Sequence, residues 1–137
     1  MTTIAQTDKD SILEYFVRAS NTEDLSLDIT LNVKGALISG TMISAKEYFE
    51  ILSGKLENGS KSAQKLSEEF AAASDAAEKQ DNREVDYIHM KNTRVYCGDR
   101  HPTPSKGKIL WRGKLDQIDG FFPGKISESK NDSKEES

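Results

Sequence analysis

Apolar and polar residues alternate strictly from Leu25 to Lys34. Leu25, Leu27, Ile29, Leu31 and Val33 are interleaved with Ser26, Asp28, Thr30, Asn32 and Lys34. A period of two puts the aliphatic side chains on the core face of a strand and Thr30 on the opposite, solvent face. Lys34-Gly35 predicts a tight reversal, since glycine takes positive φ without strain. Ala36 to Ile43 is then the returning strand, with Gly40 marking a bend or bulge. Ser44-Ala45-Lys46-Glu47 has the form of a capping box, a hydroxyl for the free amides and a Glu three residues on to reach back. Tyr48, Ile51, Leu52 and Leu56 follow at helical spacing, and the helix is expected to stop near Ser53-Gly54 or Asn58-Gly59.

The pattern elsewhere alternates between the two periods. Lys9 to Ala19 predicts a first helix with Ile12, Leu13, Phe16 and Val17 on one face, ended by a polar turn at Ser20 to Asp24. Lys61 to Glu78 predicts a long helix whose inner face, Ala63, Leu66, Phe70, Ala73 and Ala77, holds only two bulky residues, so its grip is weak. Val85 to Cys97 is β-prone, with a bend or bulge at Lys91-Asn92-Thr93. A loop with Pro102 and Pro104 leads to two short strands, Lys108 to Arg112 and Lys114 to Ile118, on either side of Gly113. Phe121 to Ile126 reads as a closing edge, where Pro123 is tolerated.

A half-buried hairpin needs a cover, and five or six short strands with intervening helices predict an α+β fold. The expected architecture is a small, strongly bent antiparallel β-barrel of SH3-like or Sm-like kind. It carries an N-terminal helix, with further helices inserted between strands two and three. A helix-covered open antiparallel sheet is the alternative. Residues 1–8 read as a flexible arm, 9–126 as a single domain and 127–137, built only of Ser, Glu, Lys, Asn and Asp after Ser127, as a disordered tail.

Composition narrows the function. Among 137 residues 31% are charged, and the net charge is −4. No apolar run approaches a membrane span, the first ten residues lack the regions of a signal peptide, and Cys97 is the sole cysteine; together these fit a reducing cytoplasm. The charge is unevenly spread. Lys91, Arg94, Arg100, Lys106, Lys108, Arg112 and Lys114 against Asp99 give the segment 91–114 a net of +6. Residues 66–86 set Glu68, Glu69, Asp75, Glu78, Asp81, Glu84 and Asp86 against Lys79 and Arg83, a net of −5. Opposite charges on different faces let copies attract head to tail, a contact that need not close; ordinary solvated faces explain the same counts.

Little in the sequence speaks for catalysis. There is no glycine-rich phosphate loop and no cysteine pair. Cys97, Asp99 and His101 are a thin basis for a metal or thiol site, and a lone Cys at a strand end reads first as a small buried hydrophobe. No cofactor is expected. The candidate interaction residues are Arg94, Lys106, Lys108, Trp111, Arg112, Lys114, Phe121 and Phe122, a basic run interleaved with aromatics. Such a run can stack single-stranded nucleic acid. The aromatics equally suit a barrel core, and the acidic total opposes long-range attraction to phosphate, so nucleic acid is the weaker alternative.

Three segments add a resemblance. SLDITLNVKGALISGTMISAKEYFEIL (Ser26 to Leu52), YIHMKNTRVYCGD (Tyr87 to Asp99) and TPSKGKILWRGKLDQIDGFFPGKIS (Thr103 to Ser127) resemble, in order and spacing, the gas vesicle accessory protein GvpU family. The resemblance implies a bacterial, cytoplasmic, non-enzymatic accessory protein that associates with gas vesicles. Its implied partners are the vesicle shell or other gas vesicle proteins, and copies of itself in clustering. It carries over no catalytic residues.

Overall fold

The strand alternation is realised as the first arm of a hairpin at the centre of the sheet. In the computed structural model, which describes residues 9–78, 85–98 and 101–126, helix α1 (Ser11–Glu23) precedes β1 (Leu27–Val33) and β2 (Ala36–Ile43). Helices α2 (Ala45–Leu56) and α3 (Lys61–Glu78) follow, then β3 (Tyr87–Tyr96), β4 (Ile109–Lys114), a short 3₁₀ turn (Leu115–Gln117) and β5 (Gly120–Pro123). The five strands form one antiparallel sheet in the order β4-β3-β2-β1-β5. The expected arm 1–8 and tail 127–137 lie outside the described residues.

The sheet is open. Among the described residues β4 and β5 are its edges and do not pair with each other, so the expected closed barrel is not formed. The chain between them is used differently: Leu115 and Ile118 are both buried, and a spacing of three is met by a 3₁₀ turn and not by a strand. This also corrects the expected strand Lys114 to Ile118. β4 instead runs unbroken through Gly113.

One face of the sheet carries the core. Ile29 and Leu31 of β1, Ile38 and Met42 of β2, and Ile88 and Met90 of β3 pack with Leu13 and Val17 of α1 and with Leu115 and Ile118. Phe16 meets Phe121 edge to face at 5.9 Å. Burying such aliphatic side chains contributes roughly 1.5–3 kcal/mol each, the dominant favourable term here. Ile12 was expected on the inner face of α1 but is 62% exposed.

The second face is covered as well, contrary to the expectation of solvent around Thr30. Thr30 is fully buried. A relay of hydrogen bonds explains this: the Ile126 amide donates to Ser39 Oγ at 2.8 Å, Ser39 and Thr30 share a 3.0 Å bond, and Thr30 Oγ1 donates to the Gly124 carbonyl at 2.8 Å. The segment after β5 is thus strapped across the centre of the sheet, every buried polar atom in the relay having a partner.

The α2–α3 hairpin covers the rest of that face. Phe49 and Phe70 stack at 6.1 Å. Ser53 and Ser67 exchange hydroxyl-to-carbonyl bonds of 2.8 Å in both directions, a close seam that two small residues permit. Ser44 caps α2 through the Glu47 amide. Only half of the capping box is made: the Glu47 carboxylate pairs with Lys91 of β3 and ties the helix to the sheet. The first amide of α2, at Ala45, is capped by Asn21 Oδ1 at 2.9 Å. This is why Ser20 to Glu23 is helix and not the expected turn: α1 must run on to deliver Asn21. Leu66, expected inward on α3, is 44% exposed.

Two irregularities bend the sheet as the sequence predicted. Pairing slips between Ser39 and Thr41 of β2 and between Met90 and Thr93 of β3, and Asn92 takes φ 54°. At Gly40 the neighbouring strand comes so close that a Cβ would sit 2.9 Å from the Lys91 carbonyl oxygen and 3.0 Å from Thr93 Cα. At the β5 edge, Gly124 donates to the Asp28 carbonyl and Pro123 lies opposite Ile29. The alternation of the ladder therefore turns the nitrogen of Pro123 outward, where no amide is needed.

Candidate functional site

The sheet divides the eight candidate interaction residues among six places. Trp111 and Phe121 pack against the core, the Trp111 ring lying over Gly113. Arg94 and Lys108 come together at a groove on the second face. Arg112 sits beside α3, and Lys114 is exposed at the end of β4. Lys106 is exposed in the loop before β4, and Phe122 is 46% exposed on the β5 edge. Of the aromatic residues interleaved with the basic run, Phe122 alone is thus strongly exposed, so the stacking platform required for single-stranded nucleic acid is not assembled by this set.

The groove gathers three cationic residues, Arg94, Lys108 and Lys125. It encloses about 320 Å³ and is lined by Ser39, Asn92, Arg94, Tyr96, Lys108, Lys125 and Ile126. Arg94 is fixed by its Nε, which donates to the Gly107 carbonyl at 3.0 Å; this also draws the β3–β4 loop over the strand and brings Lys108 alongside. Lys125 arrives on the strap after β5 and has one distant carboxylate neighbour, Asp28, at 3.9 Å. The sequence reading missed Lys125 because it lies outside the basic segment. Only the pairing of β5 with β1 brings it to Arg94.

A second cavity, of about 360 Å³, lies between α3 and the strands β3 and β4. The Arg112 guanidinium stacks on the Tyr87 ring, 3.8 Å from its centroid, and its Nε donates to His89 Nε2 at 3.1 Å. That bond makes Nε2 an acceptor and leaves the imidazole proton on Nδ1, which is buried with no partner among the described residues. Burial, and then the charge of Arg112, push the His89 pKa down to about 3, so the ring is neutral at ordinary pH. No motif marked His89; its importance comes from the α2 aromatics Tyr48 and Phe49 packed on it.

Cys97, expected to be buried, is exposed beyond the end of β3, and His101 is exposed. Asp99 lies outside the described residues. Among the described residues no three His, Cys, Asp or Glu side chains are grouped to hold a metal ion, and no helix is long and apolar enough to cross a membrane.

What the fold and its surface define is a small α+β protein with one apolar core, a cationic groove on the opposite sheet face and an acidic outer helix. The family model described as gas vesicle protein GvpU-like matches residues 10–126. The chain belongs to that family and is a gas vesicle-related protein. No curated protein and no solved structure matches it.

Proposed function

We propose that this protein is a non-enzymatic accessory protein of the cytoplasm that associates with gas vesicles and clusters them through weak contacts between its own copies. Membership of the GvpU-like family supports the vesicle association. The observation that supports self-association is the placement of opposite charges on different elements. Arg94, Lys108 and Lys125 share one groove, while Glu68, Glu69 and Asp75 are exposed on α3. A groove-to-helix contact is heterologous and need not close on itself, so it can extend from copy to copy.

Each contact between exposed charges is worth at most about 1 kcal/mol and is screened over about 8 Å at physiological ionic strength. Many copies on one vesicle make such contacts additive, and the resulting attachment stays reversible. The test is clustering of purified vesicles with added protein, followed by light scattering and by co-flotation. Reversing Lys108→Glu and Lys125→Glu together is expected to abolish clustering, and salt is expected to disperse clusters made by the unaltered protein. Clustering that survives both treatments overturns the electrostatic mechanism and moves attention to the exposed Phe122.

A further inference from the structure

We propose that the cavity between α3 and the β3–β4 strands binds a small carboxylate with an apolar body, its carboxylate gripped by Arg112. The cavity shares no lining residue with the Arg94–Lys108–Lys125 groove, so this inference and the clustering mechanism stand or fall separately.

Arg112 is held ready. Stacking on Tyr87 fixes the plane of the guanidinium, and the bond from Nε to His89 fixes its rotation about that plane. Its two terminal amines take no partner among the described residues. These amines form one edge of the fork that matches a carboxylate with two parallel bonds. An arginine already immobilised loses little conformational entropy on gripping an anion, the usual cost of using so long a side chain.

The remaining lining fits the rest of such a ligand. Phe49, Ala73, Ala77 and Val85 form apolar walls, and the alanines make room that larger side chains at the same helical positions would fill. The His89 ring lines the cavity; its Nδ1–H is sealed from solvent and has no partner among the described residues, so the ring serves as a wall and as the anchor of Arg112. Among the described residues the one acidic group in the lining, Asp86, is 3.2 Å from the Lys9 amine, so its charge is offset by a neighbour outside the cavity. Among the described lining residues there is one cation, Arg112, and one fixed cation between apolar walls suits a monoanion better than a phosphate dianion, whose second charge would be desolvated without compensation. A volume of about 360 Å³ lies at the lower end of the range of roughly 300–1,000 Å³ that small-molecule sites occupy.

The test is a titration of the full chain with benzoate, followed by proton–nitrogen NMR. Benzamide serves as the neutral counterpart and sulfate as the general anion. Benzoate is expected to give saturable shifts at Ala73, Ala77, His89 and Arg112, with benzamide and sulfate at least tenfold weaker. Arg112→Gln is expected to weaken benzoate at least tenfold. Should that variant lose its dispersed spectrum, Ala77→Leu serves in its place: it keeps Arg112, narrows the cavity from α3 and is expected to exclude benzoate. Shifts that do not saturate, equal binding of benzamide or of sulfate, or benzoate binding retained in a folded Arg112→Gln or in Ala77→Leu overturns the proposal.

Discussion

At the scale of single residues, two buried threonines one strand apart behave oppositely. Thr30 Oγ1 has two partners, whereas Thr93 Oγ1 is buried with none among the described residues. Thr30→Val deletes a donor and an acceptor and leaves Ser39 and the Gly124 carbonyl unsatisfied, a loss of about 1–3 kcal/mol. Thr93→Val swaps an orphan hydroxyl for a methyl of the same shape and is expected to be neutral or stabilising. Urea unfolding of the two variants checks the ranking, and a costly Thr93→Val would show that its hydroxyl has a partner. His89 gives a prediction in pH. The folded ring stays neutral down to about 3, while the unfolded ring takes a proton below about 6.5, so protons favour the unfolded chain between these values. The neutral ring's contribution is complete above 6.5 and is lost on acidification at up to about 1.4 kcal/mol per pH unit. Arg112 from β4 faces the ring, Tyr48 and Phe49 of α2 pack on it, and Asp86 lines the same cavity. Since the carboxylates titrate in both proteins, the stability difference between the unaltered chain and His89→Gln isolates the histidine. That difference is expected to shift in favour of the variant as pH falls from 6.5 towards 4; parallel curves would contradict it.

At the scale of elements, the sequence was most legible where one face of one element decided the pattern. The alternation of β1, the returning strand β2, the reversal at Lys34 and Gly35 (φ 53° and 90°), the Ser44 cap and the span of α3 all follow from local rules. What stayed hidden depends on partners distant in the chain. Thr30 reads as solvent-facing until the strap from Gly124 to Ile126 covers it. Asn21 reads as a turn residue until α2 needs its first amide capped. Leu115 and Ile118 read as strand residues until both must enter one core. The candidate site was half legible for the same reason: Arg94 and Lys108 were visible as part of a basic run, but Lys125 reaches them only through the β1–β5 pairing. Gly40 offers a check on the bend that makes this packing possible. An added methyl meets the backbone of β3 on both sides of its bulge, and backbone cannot yield as a flexible side chain does. Gly40→Ala is expected to cost about 1–3 kcal/mol by overpacking, read as a lowered melting temperature; an unchanged value would mean that the strands separate freely there.

At the scale of the whole molecule, the open sheet poses a hazard that the proposed clustering would sharpen. Copies drawn together on a vesicle would bring sheet edges near one another at high local concentration, and an unpaired edge is a template for adding a foreign strand. Pro123 answers that hazard at β5, because its outward-turned nitrogen has no hydrogen to offer an incoming backbone. On β4 the Leu115 amide bonds to the Asp86 carbonyl, and the ladder's alternation turns the backbone of Arg112 and Lys114 outward, so a neighbour would have to pack two like-charged side chains against its own. The distinction thereby protected is between a gathering of particles that disperses when salt rises and a fibrous deposit that does not. Pro123→Thr would return the missing amide to the edge. Under crowded conditions it is expected to convert salt-dispersible clusters into slow-growing aggregates that bind amyloid dyes and resist salt, with little change in the stability of the isolated chain.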